Sequence, residues 1–163
     1  MTHQQQCEAF LNRRKTLLLS TLDKEGVLET SVAPFVFLDG LFYIYISELA
    51  KHTQNCLWQI EQNRPLVSAL LVADESETEQ LFARERITLQ LNASELKREQ
   101  REYTLVLQKF ADEFGEIIGM LSSLPDFHLI ALTPINGGYV KGFGQAFAFE
   151  SCLCQGLMPI KRS

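Results

Sequence analysis

This chain of 163 residues lacks the long apolar runs, basic clusters and leader-like start that mark membrane, nucleic-acid-binding and secreted proteins. No stretch approaches the roughly 18 consecutive apolar residues that a membrane-spanning helix needs. The formal net charge is −5 and no run of Lys and Arg opposes it, so a nucleic acid is not expected as a partner. The first residues show no basic start followed by an apolar block, which argues against a secretion signal. We therefore expect a cytoplasmic protein whose partners include neither a membrane nor a nucleic acid.

Residue types that bind metals are also scarce. The chain has three histidines and four cysteines, which are His3, His52, His128, Cys7, Cys56, Cys152 and Cys154. So few histidines make a multi-histidine metal centre unexpected, and we predict no metal site. The Cys152-Leu-Cys154 pair is too closely spaced for a usual zinc site and has no second pair. Because cytosolic cysteines are normally reduced, we interpret this pair as two free thiols of the tail.

The remaining composition suits one globular domain, with 46% apolar and 21% charged residues. We expect a single domain over residues 1–163, with an N-terminal helix or tail over 1–12 and a short C-terminal tail over 150–163. Apolar alternation and turn residues predict six or seven strands in two groups, with helices between them. This pattern is typical of a mainly β fold with peripheral helices, in which an antiparallel barrel closes and leaves few exposed edges.

The first three predicted strands form a meander that leads into a helix. Turns are predicted at residues 23–26 and at Asp39-Gly40. Pro34 predicts a sheet edge or a bulge, because it has no N–H to donate. Leu66 to Ala73 is continuously apolar, which predicts a strand buried on both faces. The predicted strands are Thr16–Leu22, Val27–Leu38, Leu41–Ile46, Leu66–Ala73 and Arg84–Ala93, and the predicted helices are Cys7–Lys15, Ala50–Gln62, Lys97–Glu113 and Phe114–Leu121.

The segment from Leu124 to Phe147 predicts a hairpin with its turn at residues 136–138, which are Asn-Gly-Gly. On its second strand, one face would carry Val140, Gly142, Gly144 and Ala146 and would be almost bare of side chains. Alternate glycines in a strand indicate that another group approaches the backbone closely. A planar cofactor is one candidate, and a bent barrel strand or a closely packed helix is the commoner explanation.

Several polar residues could bind an anion. Ser47 could cap the helix that begins near residue 50, and Lys51, His52 and Thr53 lie in its first turn, where free N–H groups favour a phosphate or carboxylate. An ordinary solvated helix start explains them equally well. Three further cations are candidate anion ligands or solvent-facing residues, namely Arg84, Arg86 and Lys141.

Asp126 and His128 are two residues apart on a predicted strand, so their side chains are expected on one side. A carboxylate beside an imidazole raises its basicity and fixes its orientation, which would suit a ligand or a proton donor. A lone histidine on an apolar strand is more often structural. Both residues are nevertheless candidate catalytic residues.

Several sequence blocks occur together in a familiar order. They are Leu17–Asp23, Ser31–Val36, Ala50–Asn55, Leu81–Thr88, Phe114–Ile118, Asp126-Phe127 and Val140–Ala146. In this order they resemble haem-utilisation proteins of the HugZ/HutZ type, within the pyridoxamine 5′-phosphate oxidase-like superfamily of FMN-binding split barrels. The resemblance runs from about Arg13 to Phe149, and the blocks around Arg84–Thr88 and Val140–Ala146 are its most specific parts.

The resemblance implies a homodimeric split barrel whose ligand site lies at the subunit interface. In flavin-binding relatives, the region matching Ser47 to Asn55 holds the FMN phosphate, and the strand matching Arg84 to Thr88 lies nearby. In the haem-degrading relatives, a histidine of the C-terminal segment holds the iron, and the residue matching Asp126 orients it. The present tail, residues 151–163, contains no histidine.

We therefore expect a haem-utilisation protein that binds haem at the dimer interface, with oxidative degradation and iron release as the activity that the resemblance implies. Asp126 would then orient the iron ligand, and Lys141 with Gly142 and Gly144 would border the haem. The first alternative is an FMN-dependent oxidoreductase that binds the phosphate through Ser47, Lys51, His52, Thr53, Arg84 and Arg86. The second alternative is a carrier of haem or flavin without catalytic activity.

Overall fold

The structure is a computed structural model that describes residues 1–163, and its framework is one eight-stranded antiparallel sheet. The strands are β1 (Thr16–Leu22), β2 (Leu28–Leu38), β3 (Leu41–Ser47), β4 (Leu66–Val72), β5 (Arg86–Leu96), β6 (Phe127–Gly142), β7 (Gln145–Glu150) and β8 (Met158–Pro159). Their order is β3-β2-β1-β4-β5-β6-β7-β8, and β6 also pairs with β3. This extra pairing closes six strands into a barrel, so the predicted antiparallel split barrel is confirmed.

Four helices surround the barrel, and none of them combines the length and apolar character needed to cross a bilayer. They are α1 (His3–Asn12), α2 (Lys51–Glu61), α3 (Arg101–Phe114) and α4 (Ile117–Ser122). Gly115, with φ of +83°, separates α3 from α4, close to the boundary that the sequence predicted between Glu113 and Phe114. Two 3₁₀ turns, Glu75–Glu77 and Leu81–Ala83, occupy the connection between β4 and β5.

The core fills the barrel from alternating strand positions. On β5, the buried residues Ile87, Leu89, Leu91 and Ala93 alternate with outward-facing polar ones, as predicted. β4 alternates in the same way, so the prediction of a strand buried on both faces is wrong. Its second apolar set faces outward from the sheet instead of into the interior.

The first meander follows the sequence prediction closely. Asp39 and Gly40 have φ of +51° and +83°, which are the paired positive values of a tight hairpin. Pro34 pairs with Thr16 of β1 without a register shift, whereas the pairing of β2 with β3 begins only at Phe35. Pro34 therefore lies at a local edge of β2, where β3 provides no partner for a hydrogen bond from its nitrogen. The predicted sheet edge is confirmed.

The predicted turn at Asn136-Gly137-Gly138 is wrong, because β6 runs straight through it. Neither glycine has a positive φ, and Gly144, with φ of +70°, forms the actual β6–β7 turn. The predicted bare glycine face is therefore wrong as well, since Val140 and Ala146 are cross-strand partners on opposite sides of the turn. A Cβ on Gly137 would overlap the Thr88 carbonyl oxygen and lie 2.5 Å from Cζ of Phe149. The close approach is thus real, but it comes from a neighbouring strand and a core ring.

The two chain ends are linked covalently. Cys7 of α1 and Cys154 of the tail form a disulfide with a Cα–Cα distance of 5.6 Å. The prediction of two free tail thiols is therefore wrong for Cys154, and Cys152 remains a free, exposed thiol. The sequence could not indicate this bond, because 147 positions separate its two cysteines.

Replacing Gly137 by Ala should lower the free energy of unfolding by about 1–3 kcal/mol, because the new methyl group overpacks the core against Phe149 and β5. Urea denaturation followed by circular dichroism measures the loss. Gly119→Ala is the matched control, since nothing lies within 4 Å of its Cβ position and its φ is not positive. Equal stability of the two variants would contradict the assigned role of Gly137.

Candidate functional site

The pairing that closes the barrel brings Ser47, at the end of β3, beside Phe127, at the start of β6. The Ser47 hydroxyl donates to Oδ2 of Asp126 at 2.6 Å and accepts from the Leu49 N–H at 3.1 Å. The Glu48 N–H donates to the backbone oxygen of Asp126 at 2.9 Å. Asp126 is thus held firmly, while its Oδ1 makes no hydrogen bond within the chain and can accept one from a ligand or a partner.

His128 is held between two carboxylates that the sequence reasoning had not paired with it. Its Nδ1 lies 2.7 Å from Oε1 of Glu95, and its Nε2 lies 2.6 Å from Oε1 of Glu48. Burial disfavours the charged imidazole, but the hydrogen bonds to Glu95 and then Glu48 outweigh it and raise the pKa of His128. Burial likewise opposes the charge of Glu95, whereas Lys97 and His128 outweigh it and lower the pKa of Glu95.

The expected side-by-side arrangement of Asp126 with His128 is therefore not formed, because Asp126 bonds Ser47 and His128 bonds Glu48 and Glu95. An imidazolium that donates from both nitrogens has no lone pair to offer to a metal or a proton. In this arrangement His128 pins the loop after β3 to the ends of β5 and β6.

A second group of candidates lies at the start of α2. Ala50 is the N-cap and provides no side-chain bond, so the predicted capping of this helix by Ser47 is wrong. Lys51 Nζ lies 3.8 Å from both Asp23 Oδ2 and Glu29 Oε2. These two carboxylates already balance the cation that was predicted to attract a phosphate.

The other two candidates of this helix differ in access. Nδ1 of His52 lies 2.7 Å from the Ser31 hydroxyl, and burial lowers the pKa of His52 despite the nearby charge of Glu29. A neutral His52 can accept from Ser31 and present Nε2–H elsewhere. Thr53 is fully buried, and its hydroxyl has no hydrogen-bond partner. Of the two, His52 is the one able to reach a ligand from the surface.

The third group lies at the start of β5 and the end of β6. Arg84 Nε donates to the Ala73 carbonyl at 2.6 Å, and Lys141 Nζ donates to Oε1 of Glu85 at 3.2 Å. Arg86 donates to the Arg84 carbonyl at 2.8 Å, and no carboxylate lies within 4 Å of its guanidinium group. Gly142 and Gly144 adjoin this group at the β6–β7 turn. Arg86 is therefore the cation of this set that remains available to an anionic ligand.

The second and third groups do not meet within one copy of the chain. Lys51 lies beside Glu29, which pairs with Thr21 near the end of β1, whereas Arg86 pairs with Val72 near the level where β1 begins. Along the strands, the two groups differ by five residues, and across the sheet they lie three strand spacings apart. At the usual spacings of a sheet, the distance between the groups is about 20 Å. Within one copy, the two groups therefore lie too far apart for direct contact.

The residues that sequence reasoning missed are Ser31, Glu48, Glu85 and Glu95. Each forms a bond to a candidate residue that is 21 to 80 positions away in the chain. No local spacing signals such pairs, because they arise from the register of the closed sheet.

Known proteins share both the sequence and this architecture. The family model described as pyridoxamine 5′-phosphate oxidase matches residues 3–141. The chain belongs to the pyridoxamine 5′-phosphate oxidase family. Within the family, it is 43% identical over 138 residues to the Vibrio cholerae protein named heme oxygenase HutZ, a match that covers 85% of this chain and 76% of HutZ.

Two solved structures extend the similarity to three dimensions. A crystal structure of Vibrio cholerae HutZ, described as a heme storage protein, superimposes with a TM-score of 0.75 at 37% identity, covering 82% of this chain and 91% of HutZ. Campylobacter jejuni ChuZ superimposes with a TM-score of 0.80 at 31% identity, covering 98% of this chain and 65% of ChuZ. The HutZ-type resemblance drawn from the sequence blocks is thereby confirmed.

The hydrogen bonds of His128 to Glu95 and Glu48, here called the His128 clamp, predict a pH-dependent contribution to stability. The pKa of His128 is raised in the folded chain, so the contribution is fully present below the ordinary histidine pKa of about 6.5 and is lost as pH rises through the raised value. The lowered pKa of Glu95 sets the acid limit, because its contribution disappears as pH falls through that lowered value. The difference in unfolding free energy between the native chain and His128→Gln should therefore be larger at about pH 6 than at pH 9. Denaturant titrations at both pH values measure it, and a difference independent of pH would contradict the clamp.

Proposed function

We propose that this protein is a haem-utilisation protein that binds haem between two copies of the chain. The observation that carries the proposal is the 43% identity over 138 residues with a protein named heme oxygenase HutZ. Asp126 lies within the matching architecture, fixed by Ser47 and with Oδ1 available. Arg86, which has no carboxylate partner, suits the acidic propionate groups of a haem.

The second copy is proposed because one face of the sheet carries uncovered apolar residues. Val32, Leu18 and Leu70 are successive cross-strand partners on β2, β1 and β4, and Thr88 and Gly138 continue the row. Val32 is 57% exposed and Leu18 is 36% exposed. Flat apolar strand faces pack well against another sheet, and a two-fold axis would let the same row cover itself.

The two-fold arrangement also accounts for the separated cations. Lys51 and Arg86 lie near opposite ends of the strands, about 20 Å apart by the sheet spacing. If the two copies run in opposite directions, the Lys51 end of one lies beside the Arg86 end of the other. The homodimer would therefore assemble a polar site that neither copy has alone.

The residues around Asp126 do not fit a histidine-ligated haem. Both nitrogens of His128 are bonded to carboxylates, and residues 151–163 contain no histidine. The proposal is therefore haem binding and utilisation, and the stability of the Soret band under ascorbate and air decides whether the haem is degraded. Asp126 orients a bound group through Oδ1 in this proposal, and a catalytic role for His128 would first require release of the clamp.

FMN binding is the second candidate, and the match to the pyridoxamine 5′-phosphate oxidase family over residues 3–141 favours it. Ser47, Lys51, His52, Thr53, Arg84 and Arg86 are its proposed phosphate ligands. Lys51 and Arg84 would have to exchange their present carboxylate partners for the phosphate. Arg86 and His52 need no such exchange, so they are the stronger members of the set. A carrier that binds haem or flavin without catalysis remains the third candidate.

The proposal includes a cytoplasmic location and no nucleic-acid partner. The net charge of −5 supports the second part, because a phosphate backbone repels an acidic surface. Subcellular fractionation with an antibody against the chain tests the location.

Purified protein titrated with haemin should develop a Soret band at about 400 nm, whereas FMN would give flavin bands at about 450 nm. Asp126→Ala should weaken haem binding by about tenfold, since it removes the fixed acceptor, and Gln108→Ala on the outer surface of α3 is the control. Loss of the Soret band under ascorbate and air supports degradation, and a stable band supports a carrier. Binding of FMN but not haem would reject the haem proposal in favour of the second candidate.

Leu18→Glu should convert a dimer into a monomer, because it places a charge in the centre of the apolar row. Light scattering after gel filtration measures the mass. Leu105→Glu is the matched control, since Leu105 is 59% exposed on α3, away from the row. A native chain that is already monomeric at micromolar concentration would contradict the proposed interface.

A further inference from the structure

The C-terminal segment, residues 151–163, is held on the barrel by few attachments. Its backbone bonds to the barrel join Ser151 N–H to the Ile135 carbonyl at 2.7 Å and Ile160 N–H to the Ala146 carbonyl at 2.8 Å, with the two-residue strand β8 between them. Leu153 and Leu157 pack only partly buried against the core. The Cys7–Cys154 disulfide is the covalent attachment of the segment, and it connects to α1.

The backbone near the disulfide is held in a conformation that it would not favour alone. Ser151 and Cys154 have φ of +61° and +62°, in the left-handed region that residues with a side chain rarely adopt. Such residues persist only where the surrounding structure determines them, at a cost of about 1–3 kcal/mol each. Once the bond to Cys7 is broken, less remains to hold Cys154 in this region.

A cavity of about 500 Å³ lies beside the disulfide, whose two cysteines are themselves buried in the core. It lies between α1, the β2–β3 turn and the segment, and its lining includes Cys154, Cys152, Glu8, Asn12 and Gln155. Cys152 is a free, exposed thiol two residues from the bond. Cys56 is also free, but burial raises the pKa of its thiol to about 12 and keeps it from reacting. A small thiol compound can therefore enter beside the disulfide, and it reaches the bond when the weakly attached segment opens locally.

We propose that this cavity is a thiol–disulfide exchange site, and that the Cys7–Cys154 bond is a redox-controlled clasp on the C-terminal segment. The co-reactant is a low-molecular-weight thiol. When the segment opens locally, the thiolate attacks Sγ of Cys154, so that the S–S bond breaks, a mixed disulfide forms and Cys7 leaves as a thiolate that takes up a proton. A second thiol molecule attacks the mixed disulfide, releasing Cys154 as a thiol and the co-reactant as its own disulfide. The two electrons from two thiol molecules reduce one protein disulfide.

Reduction by this route frees the segment from α1. The weak attachments that remain then compete with chain disorder, which exposes the edge of β7 and opens one wall of the cavity. The barrel keeps its six closed strands, because none of its pairings passes through residues 151–163. The clasp is independent of haem and FMN, so it stands apart from the function proposed above.

The test uses the full chain, prepared under oxidising conditions and then incubated with glutathione or dithiothreitol. N-ethylmaleimide labelling of the native protein with mass spectrometry should find one reactive cysteine before reduction, Cys152, and three afterwards, with Cys56 unlabelled. Hydrogen exchange should become about tenfold faster in residues 151–160 after reduction and remain unchanged in β1 to β5. Cys7→Ser should reproduce the fast exchange without reductant, and Cys152→Ser is the control that keeps the clasp.

Three results would overturn the proposal. The first is a segment whose exchange is the same with and without the reductant. The second is loss of protection throughout β1 to β5 on reduction, which would make the bond a support of the whole fold. The third is labelling of Cys7 and Cys154 in the oxidised preparation, which would show that the bond does not form. Reduction of the native chain keeps the test decisive if Cys7→Ser does not fold.

Discussion

The pairing of β3 with β6 is the constraint on which the rest of this structure depends. It joins strands that lie about 85 residues apart in the chain and turns an open sheet into a closed barrel. The same pairing places Ser47 beside Phe127, and so it positions Asp126 and the loop that carries Glu48. The fold and the group around Asp126 and His128 therefore share one cause, because these residues lie where the barrel closes.

The candidate residues differ in whether a partner within the chain already balances their charge. His128 and Lys51 are already neutralised by carboxylates of the chain, whereas Arg86 and Oδ1 of Asp126 are not. A ligand or a second copy can bind an unpaired group directly. A group that is already paired within the chain must first lose that partner. In the proposed site, Arg86 and Oδ1 of Asp126 are therefore the groups that a haem would engage without displacing a partner.

Sequence reasoning succeeded where structure is decided locally. The alternation along β5, the turn at Asp39-Gly40 and the boundary between α3 and α4 all depend on neighbours within a few positions. It failed at Gly137, because glycines that form a turn and glycines that make room for a ring look alike in a sequence. Recognition of the family did not depend on that hairpin, since it came from ordered blocks spread along the chain, and the match to HutZ confirmed it.

The sequence by itself determined most of the strands and helices, the barrel class and the family, because periodicity, turn chemistry and motif order are properties of the linear chain. Only the tertiary structure decided which charges are paired, which cysteines are bonded and which sheet face is left uncovered. Those features depend on residues 21 to 147 positions apart, and their contacts follow from strand register and barrel closure. A change of one residue in register would reassign every such contact while leaving the local patterns intact.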